Sequence, residues 1–228
     1  MTLFGNALVK YLFGLWLVGV LVWLVGVLVF LPAGTLSYDG GWLFMGLLFV
    51  PIFLLGAVLL WKAPHLLQER LNGKETARTQ KKVVSFSSLL FLGGFTVAGL
   101  DHRFGWSSVP LWVTITACIL FLTAYGMYAE VMRENAYLAR TIKVQEGQKV
   151  VDTGLYGIVR HPMYAATILL FLMIPLLLGS WWAVLVFLPY PLLIALRIRD
   201  EERLLSQELD GYTAYTKKVK YRLLPFVW

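Results

Sequence analysis

Apolar positions in this chain neither alternate nor recur at helical spacing; they come as long runs divided by short polar stretches. The runs fall at 11–31, 42–61, 85–100, 109–132, 163–179 and 181–196. A helix rises about 1.5 Å per residue and the hydrocarbon core is about 30 Å thick, so about 20 apolar residues make one crossing. The runs predict an all-α integral membrane protein with about six transmembrane helices. The third run and the last two, at about 16 or 17 residues, must extend into polar flanks or sit beside thinned bilayer. Pro175, Pro189 and Pro191 fall in the last pair; each removes a backbone donor and bends its helix, which can open a cleft. The reading divides the chain into membrane helices at 1–108 and a chemistry-bearing region at 109–228. The first run is longer than a signal-peptide core and lacks a small-residue cleavage pattern, so it reads as a retained helix.

Composition agrees with the pattern. At 59% hydrophobic over 228 residues and a mean hydropathy of +0.71, the chain is outside the range of water-soluble domains. Cys118 is its single cysteine, which excludes an intramolecular disulfide. A formal charge of +7 raises the possibility of nucleic acid, but the positions of the charges argue against it. Of 20 lysines and arginines, 19 lie before the first run, between the second and third, between the fourth and fifth, or in the tail, and Arg103 alone falls on the other side. The positive-inside rule then puts both termini in the cytoplasm.

The polar segments hold the candidate chemistry. In 62–84, Pro64 can open a short helix over 65–71 that Asn72-Gly73 stops. His65 and His102 stand without neighbours at ligand spacing, so no metal site is expected. No Walker loop, Rossmann glycine pattern or HExxH is present. Residues 133–141 are expected to continue the fourth helix, and 145–154 reads as a turn, an extended piece and a second turn, with Gly147 and Gly154 at the bends. Pro162 suits the first turn of the fifth helix, which would leave N–H groups near Met163, Tyr164 and Ala165 facing a polar ligand atom. The same residues also suit an interfacial belt of arginine and tyrosine. Arg197 and Glu201, four apart, share one helix face.

The ordered set Gly154-x-Tyr156-x-x-x-Arg160-His-Pro-x-Tyr164, a helical hairpin, Arg197-x-x-x-Glu201-Glu202, Tyr212-x-x-Tyr215 and a basic end resembles the isoprenylcysteine carboxyl methyltransferase family over about 130–228. A looser likeness extends to membrane phospholipid methyltransferases and sterol reductases. The resemblance implies a membrane enzyme that takes S-adenosylmethionine on its cytoplasmic side. By position it implies that Gln148, Lys149, Val150, Val151, Tyr156, His161, Pro162, Met163, Tyr164 and Glu201 contact the cofactor. It makes Arg197 the holder of a substrate carboxylate, and Arg160 is taken as the second candidate catalytic group, lining the substrate path or facing lipid headgroups. Ala165, where the family often has glycine, and the longer N-terminal half depart from the eukaryotic pattern, so a small lipophilic acid stands beside a prenylated protein as substrate.

Chemistry favours a carboxylate. Methyl transfer to an anion neutralises a sulfonium in line, and a carboxylate with a reference pKa near ~4 is already ionised, so no general base is required. An amine would require one, with His161 the nearby candidate. The expected partners are thus a lipophilic carboxylate and membrane lipid. Three other readings remain: an NADPH-dependent reductase of a lipophilic substrate, a phospholipid N-methyltransferase, and a membrane scaffold without catalysis.

Overall fold

A computed structural model describes the backbone at 3–62, 78–135, 137, 144 and 147–228. The helix expected at 65–71, with His65, and the stretch 138–141 lie outside the described residues. Those residues form helices without strands: α1 (Leu3–Ala33), α2 (Asp39–Lys62), α3 (Arg78–Phe104), α4 (Leu111–Glu134), a 3-10 turn (Gly154–Gly157), α5 (Pro162–Leu177), α6 (Trp181–Phe187), α7 (Tyr190–Glu208) and α8 (Tyr212–Lys218). The all-α membrane architecture is as expected.

The apolar runs differ in reach. Among the described residues, the spans long and apolar enough to cross a bilayer are five: Leu12–Ala33, Asp39–Lys62, Val83–Phe104, Leu111–Glu134 and Trp181–Glu208. The fifth apolar run forms α5, whose 16 residues reach about 24 Å, short of the hydrocarbon thickness. It stops early because Pro175 sits in its last turn and Gly179 takes a left-handed φ of 75°. The last run is longer than expected and broken: α6 ends at Phe187, Pro189 caps α7, and α7 runs on to Glu208. α4 also ends sooner than expected, at Glu134, where Asn135 turns extended.

The core is aromatic and tight. Phe44, Phe121 and Phe187 are fully enclosed, and Phe91 lies within 6 Å of Phe95, Phe171 and Phe187, tilted or edge-on. Small residues on α3 set its spacing to neighbours, as expected where lipid supplies no hydrophobic drive for helix association. A Cβ on Gly99 would lie 2.8 Å from the Val29 carbonyl oxygen, and one on Gly94 only 2.2 Å from Phe187 Cε2. Gly94→Ala is therefore expected to cost about 1–3 kcal/mol through overpacking, because the enclosed Phe187 ring cannot yield. Gly93→Ala is the matched control, since its Cβ would meet Val186 at an ordinary 3.6 Å. Thermal unfolding in detergent should separate the two adjacent substitutions.

One end of the bundle is fastened by a buried acid. Asp101, 1% exposed, accepts from Ser107 N at 2.7 Å, Ser107 Oγ at 2.6 Å and Ser180 Oγ at 2.5 Å. Ser180 Oγ in turn accepts from Ala183 N at 3.0 Å and caps α6. This cluster ties the end of α3 to the α5–α6 corner. The opposite end, where α4 finishes, α5 begins and α7 finishes, holds the charged motif.

Candidate functional site at the α5 and α7 ends

The site begins with two bends. Gly154 has φ 54°, and an added Cβ would sit 3.0 Å from Glu134 Cγ, so glycine alone lets the 3-10 turn pack against the end of α4. Thr153 Oγ1 donates to Glu134 Oε2 and fixes the same corner. Pro162 takes the first position of α5, as expected. Of the three amides expected to be free beside it, two are engaged: Tyr164 N and Ala165 N both donate to the His161 carbonyl at 3.1 Å. His161 is the N-cap, with non-helical φ −126° and ψ 60°, and its carbonyl accepts the first bonds of the helix.

α7 supplies the carboxylates. Tyr190, Ile194 and Ile198, spaced by four, form its buried stripe. Glu202 is the next position on that stripe, so its carboxylate is directed into protein rather than water. It meets three donors there: Arg160 Nε at 2.7 Å and His161 Nε2 at 3.3 Å on Oε1, and Arg222 Nε at 2.7 Å on Oε2. Glu201, about 100° round the helix, accepts from Tyr164 Oη at 2.6 Å, and Tyr164 Oη accepts from Arg197 Nε at 2.9 Å. The Arg197 guanidinium lies 5.9 Å from the Tyr164 ring centre. Neighbouring glutamates thus belong to two networks.

The tail closes the site from below. Arg160 N donates to Tyr221 O and His161 N to Arg222 O, both at 2.9 Å, so the Arg-His pair runs alongside 221–222. Arg160 Nη1 donates to the carbonyls of Val219 at 2.8 Å and Lys220 at 2.9 Å. Arg160 therefore neither lines an open path nor faces headgroups: its side chain is 8% exposed and its donors are directed at Glu202 and the tail. A buried guanidinium needs such a set of acceptors.

The remaining candidates sit on two sides of an extended strip. Val151 packs with Tyr156, Val131 and Met132, joined by Met163, whereas Val150 packs with Leu209, Tyr212, Tyr215 and Val219. Tyr156 is held by Asn135 Nδ2 at its hydroxyl, 3.0 Å, and by Tyr215 Oη at its carbonyl, 2.7 Å. Burial raises the phenol pKa of Tyr215. Lys218 Nζ lies 2.6 Å from Asp152 Oδ2 and lowers the pKa of that exposed carboxyl. Gln148 is half-buried and Lys149 exposed. His102, expected to hold no metal, stacks on Tyr38 with ring centres 4.1 Å apart. Among the described residues no group of three potential metal ligands occurs.

The structure thus joins His161, Tyr164, Arg197 and Glu201 at one end of the bundle, packs Met163 against both Tyr164 and the Tyr156 cluster that holds Val151, and sets Val150 on the separate cluster of Tyr212 and Tyr215. Sequence reading missed the work of Glu202, Arg222, Asn135 and Tyr215. For Glu202 a signal existed, its place four residues beyond Ile198 on the apolar stripe. For the tail carbonyls there was none.

Residues 112–210, just under half of the chain, match the model of a family described as phospholipid methyltransferase. The Delta(14)-sterol reductase TM7SF2 of Mus musculus is 31% identical over 93 residues, 39% of this chain and 22% of that protein. A Delta(14)-sterol reductase of Arabidopsis thaliana is 28% identical over 125 residues, 50% of this chain and 34% of that protein. The chain spans between about a fifth and a third of the curated relatives it matches. The family match supports a membrane methyltransferase, and its stretch contains nearly all of α4, the Arg-His-Pro motif and the carboxylates of α7.

Proposed function

We propose that this chain transfers a methyl group from S-adenosylmethionine to the carboxylate of a lipophilic, isoprenylcysteine-like substrate, at a site facing the cytoplasm. The observation that carries the reading is the Arg197–Tyr164–Glu201 chain of hydrogen bonds, built within the stretch that matches the methyltransferase family.

The residues present suit such a cofactor. Val150, Val151, Tyr156 and Met163 offer apolar surface to a base, with Pro162 shaping the helix start. Glu201 is an acceptor for ribose hydroxyls, His161 and Tyr164 present rings 5.7 Å apart, and Gln148 and Lys149 lead into the same strip. When bound, the cofactor supplies an electrophilic methyl on a sulfonium. The chain contributes alignment and exclusion of water, which together account for much of the rate in an in-line transfer. Arg197, fixed through Nε on Tyr164, presents a planar fork matched to a carboxylate. Arg160 acts as a positioning residue that holds the tail under α7. A carboxylate acceptor is favoured over an amine because His161 Nε2 faces Glu202, so the nearby base is already engaged.

The sterol reductase relatives favour a second reading, reduction of a lipophilic substrate with NADPH. One experiment separates the readings. The chain in phosphatidylcholine vesicles is given methyl-labelled S-adenosylmethionine with a prenylated cysteine or with phosphatidylethanolamine, and in parallel NADPH with a sterol. Label in a base-labile ester is the expected result. Label in the lipid amine would replace the carboxylate by an amine acceptor, and NADPH oxidation without any methyl transfer would overturn the proposal.

A further inference from the structure

The networks above leave one buried polar atom unused. Tyr212 is 4% exposed, and its hydroxyl has no hydrogen-bond partner among the described residues. A buried hydroxyl without a partner carries a desolvation cost that nothing in the fold returns. Tyr215, three residues on, shows the usual outcome, since its hydroxyl donates to the Tyr156 carbonyl at 2.7 Å.

Three features place the Tyr212 hydroxyl. Gly211, with φ 83°, turns the chain so that α8 begins at Tyr212 and folds back toward α7. The Tyr212 ring packs with Leu209, Tyr215, Val219, Leu205 and Val150, and Val150 belongs to the strip assigned to the cofactor. Glu202, Glu201 and Arg160 are all close enough to act on the phenol, whose pKa is raised first by burial and then by the two carboxylates. Tyr212 therefore packs its ring on the apolar strip with the carboxylates of Glu202 and Glu201 within electrostatic reach.

We propose that Tyr212 is a further ligand-positioning residue, whose hydroxyl hydrogen-bonds the nucleoside half of bound S-adenosylmethionine where that half passes from Val150 to Glu201. The inference rests on the methyl-transfer reading and deepens it. It assigns a cofactor contact to α8, which lies beyond the stretch that matches the family. A hydroxyl can donate or accept, so either a base nitrogen or a ribose oxygen satisfies it.

The test is calorimetric binding of S-adenosylhomocysteine to the detergent-purified chain, comparing wild type, Tyr212→Phe and Glu201→Gln, with thermal unfolding of each ligand-free protein. Tyr212→Phe should weaken binding about tenfold, the effect of one lost hydrogen bond. Its ligand-free unfolding temperature should be unchanged or higher, because the substitution removes a buried group without a partner. Affinity is lost without loss of stability, which a packing role alone does not produce. Wild-type affinity in Tyr212→Phe, with Glu201→Gln weakened, overturns the role of Tyr212 and leaves the methyltransferase reading standing. A lower unfolding temperature in ligand-free Tyr212→Phe also overturns it, since the hydroxyl would then serve the fold. No binding to folded wild type overturns the reading and the inference together.

Discussion

Glu202→Ala is expected to destabilise the protein by about 3–5 kcal/mol, the range found when one partner of a buried ionic cluster is removed. Its carboxylate is 12% exposed and takes hydrogen bonds from Arg160, His161 and Arg222. Removing it leaves the Arg160 guanidinium, 8% exposed, with tail carbonyls as its remaining acceptors. It also releases Arg222, and with it the 221–222 segment that pairs with Arg160 and His161. For a chain of this size the loss corresponds to a fall of about 10 °C or more in unfolding temperature. Glu202→Gln keeps the shape and one acceptor oxygen but loses the charge, so it should fall between Ala and wild type. Melting curves in one detergent, without ligand, check this independently of any activity; an alanine variant that melts with wild type would show that the knot contributes nothing to the fold.

Arg197→Lys should have the second largest effect, on catalysis rather than stability. Lysine keeps the charge but lacks the Nε donor that anchors the side chain to Tyr164 Oη at 2.9 Å and the planar fork that matches a carboxylate. Under the proposed reaction, kcat/KM for the lipophilic acid should fall about 100-fold or more, because misalignment is penalised heavily in an in-line transfer. Affinity for S-adenosylhomocysteine should change far less, since Tyr164 keeps its bond to Glu201. Steady-state kinetics beside calorimetry distinguish the two. Equal losses in both would move Arg197 from the substrate to the cofactor side of the site.

Glu201 and Glu202 show what kind of information each level carries. Adjacent in sequence and identical in chemistry, they differ only in azimuth on α7. The helical repeat sets Glu201 one turn from Arg197 and Glu202 one turn from Ile198, so their divergence could have been read from spacing. What each meets could not. Tyr164 arrives from the start of α5, and Arg222 from a tail 20 residues further on, through packing that no local period records.

The amino-acid sequence by itself determined the class of molecule. Burial of a helix in hydrocarbon requires an apolar run of the right length, so hydropathy alone gives an all-α membrane protein and the place of its polar ends. It also determined the bends at Gly147 and Gly154, both with positive φ, and the start of α5 at Pro162, because backbone sterics at glycine and proline are local. Tertiary structure decided the rest. It carried the sixth run, past a break before α7, on to Glu208. It closed the first turn of α5 on His161 and turned Arg160 inward onto Glu202 and the tail. These outcomes depend on which donor meets which acceptor across tens of residues. A buried charge is tolerated only where such partners converge, and convergence is a property of the packed chain rather than of any segment in it.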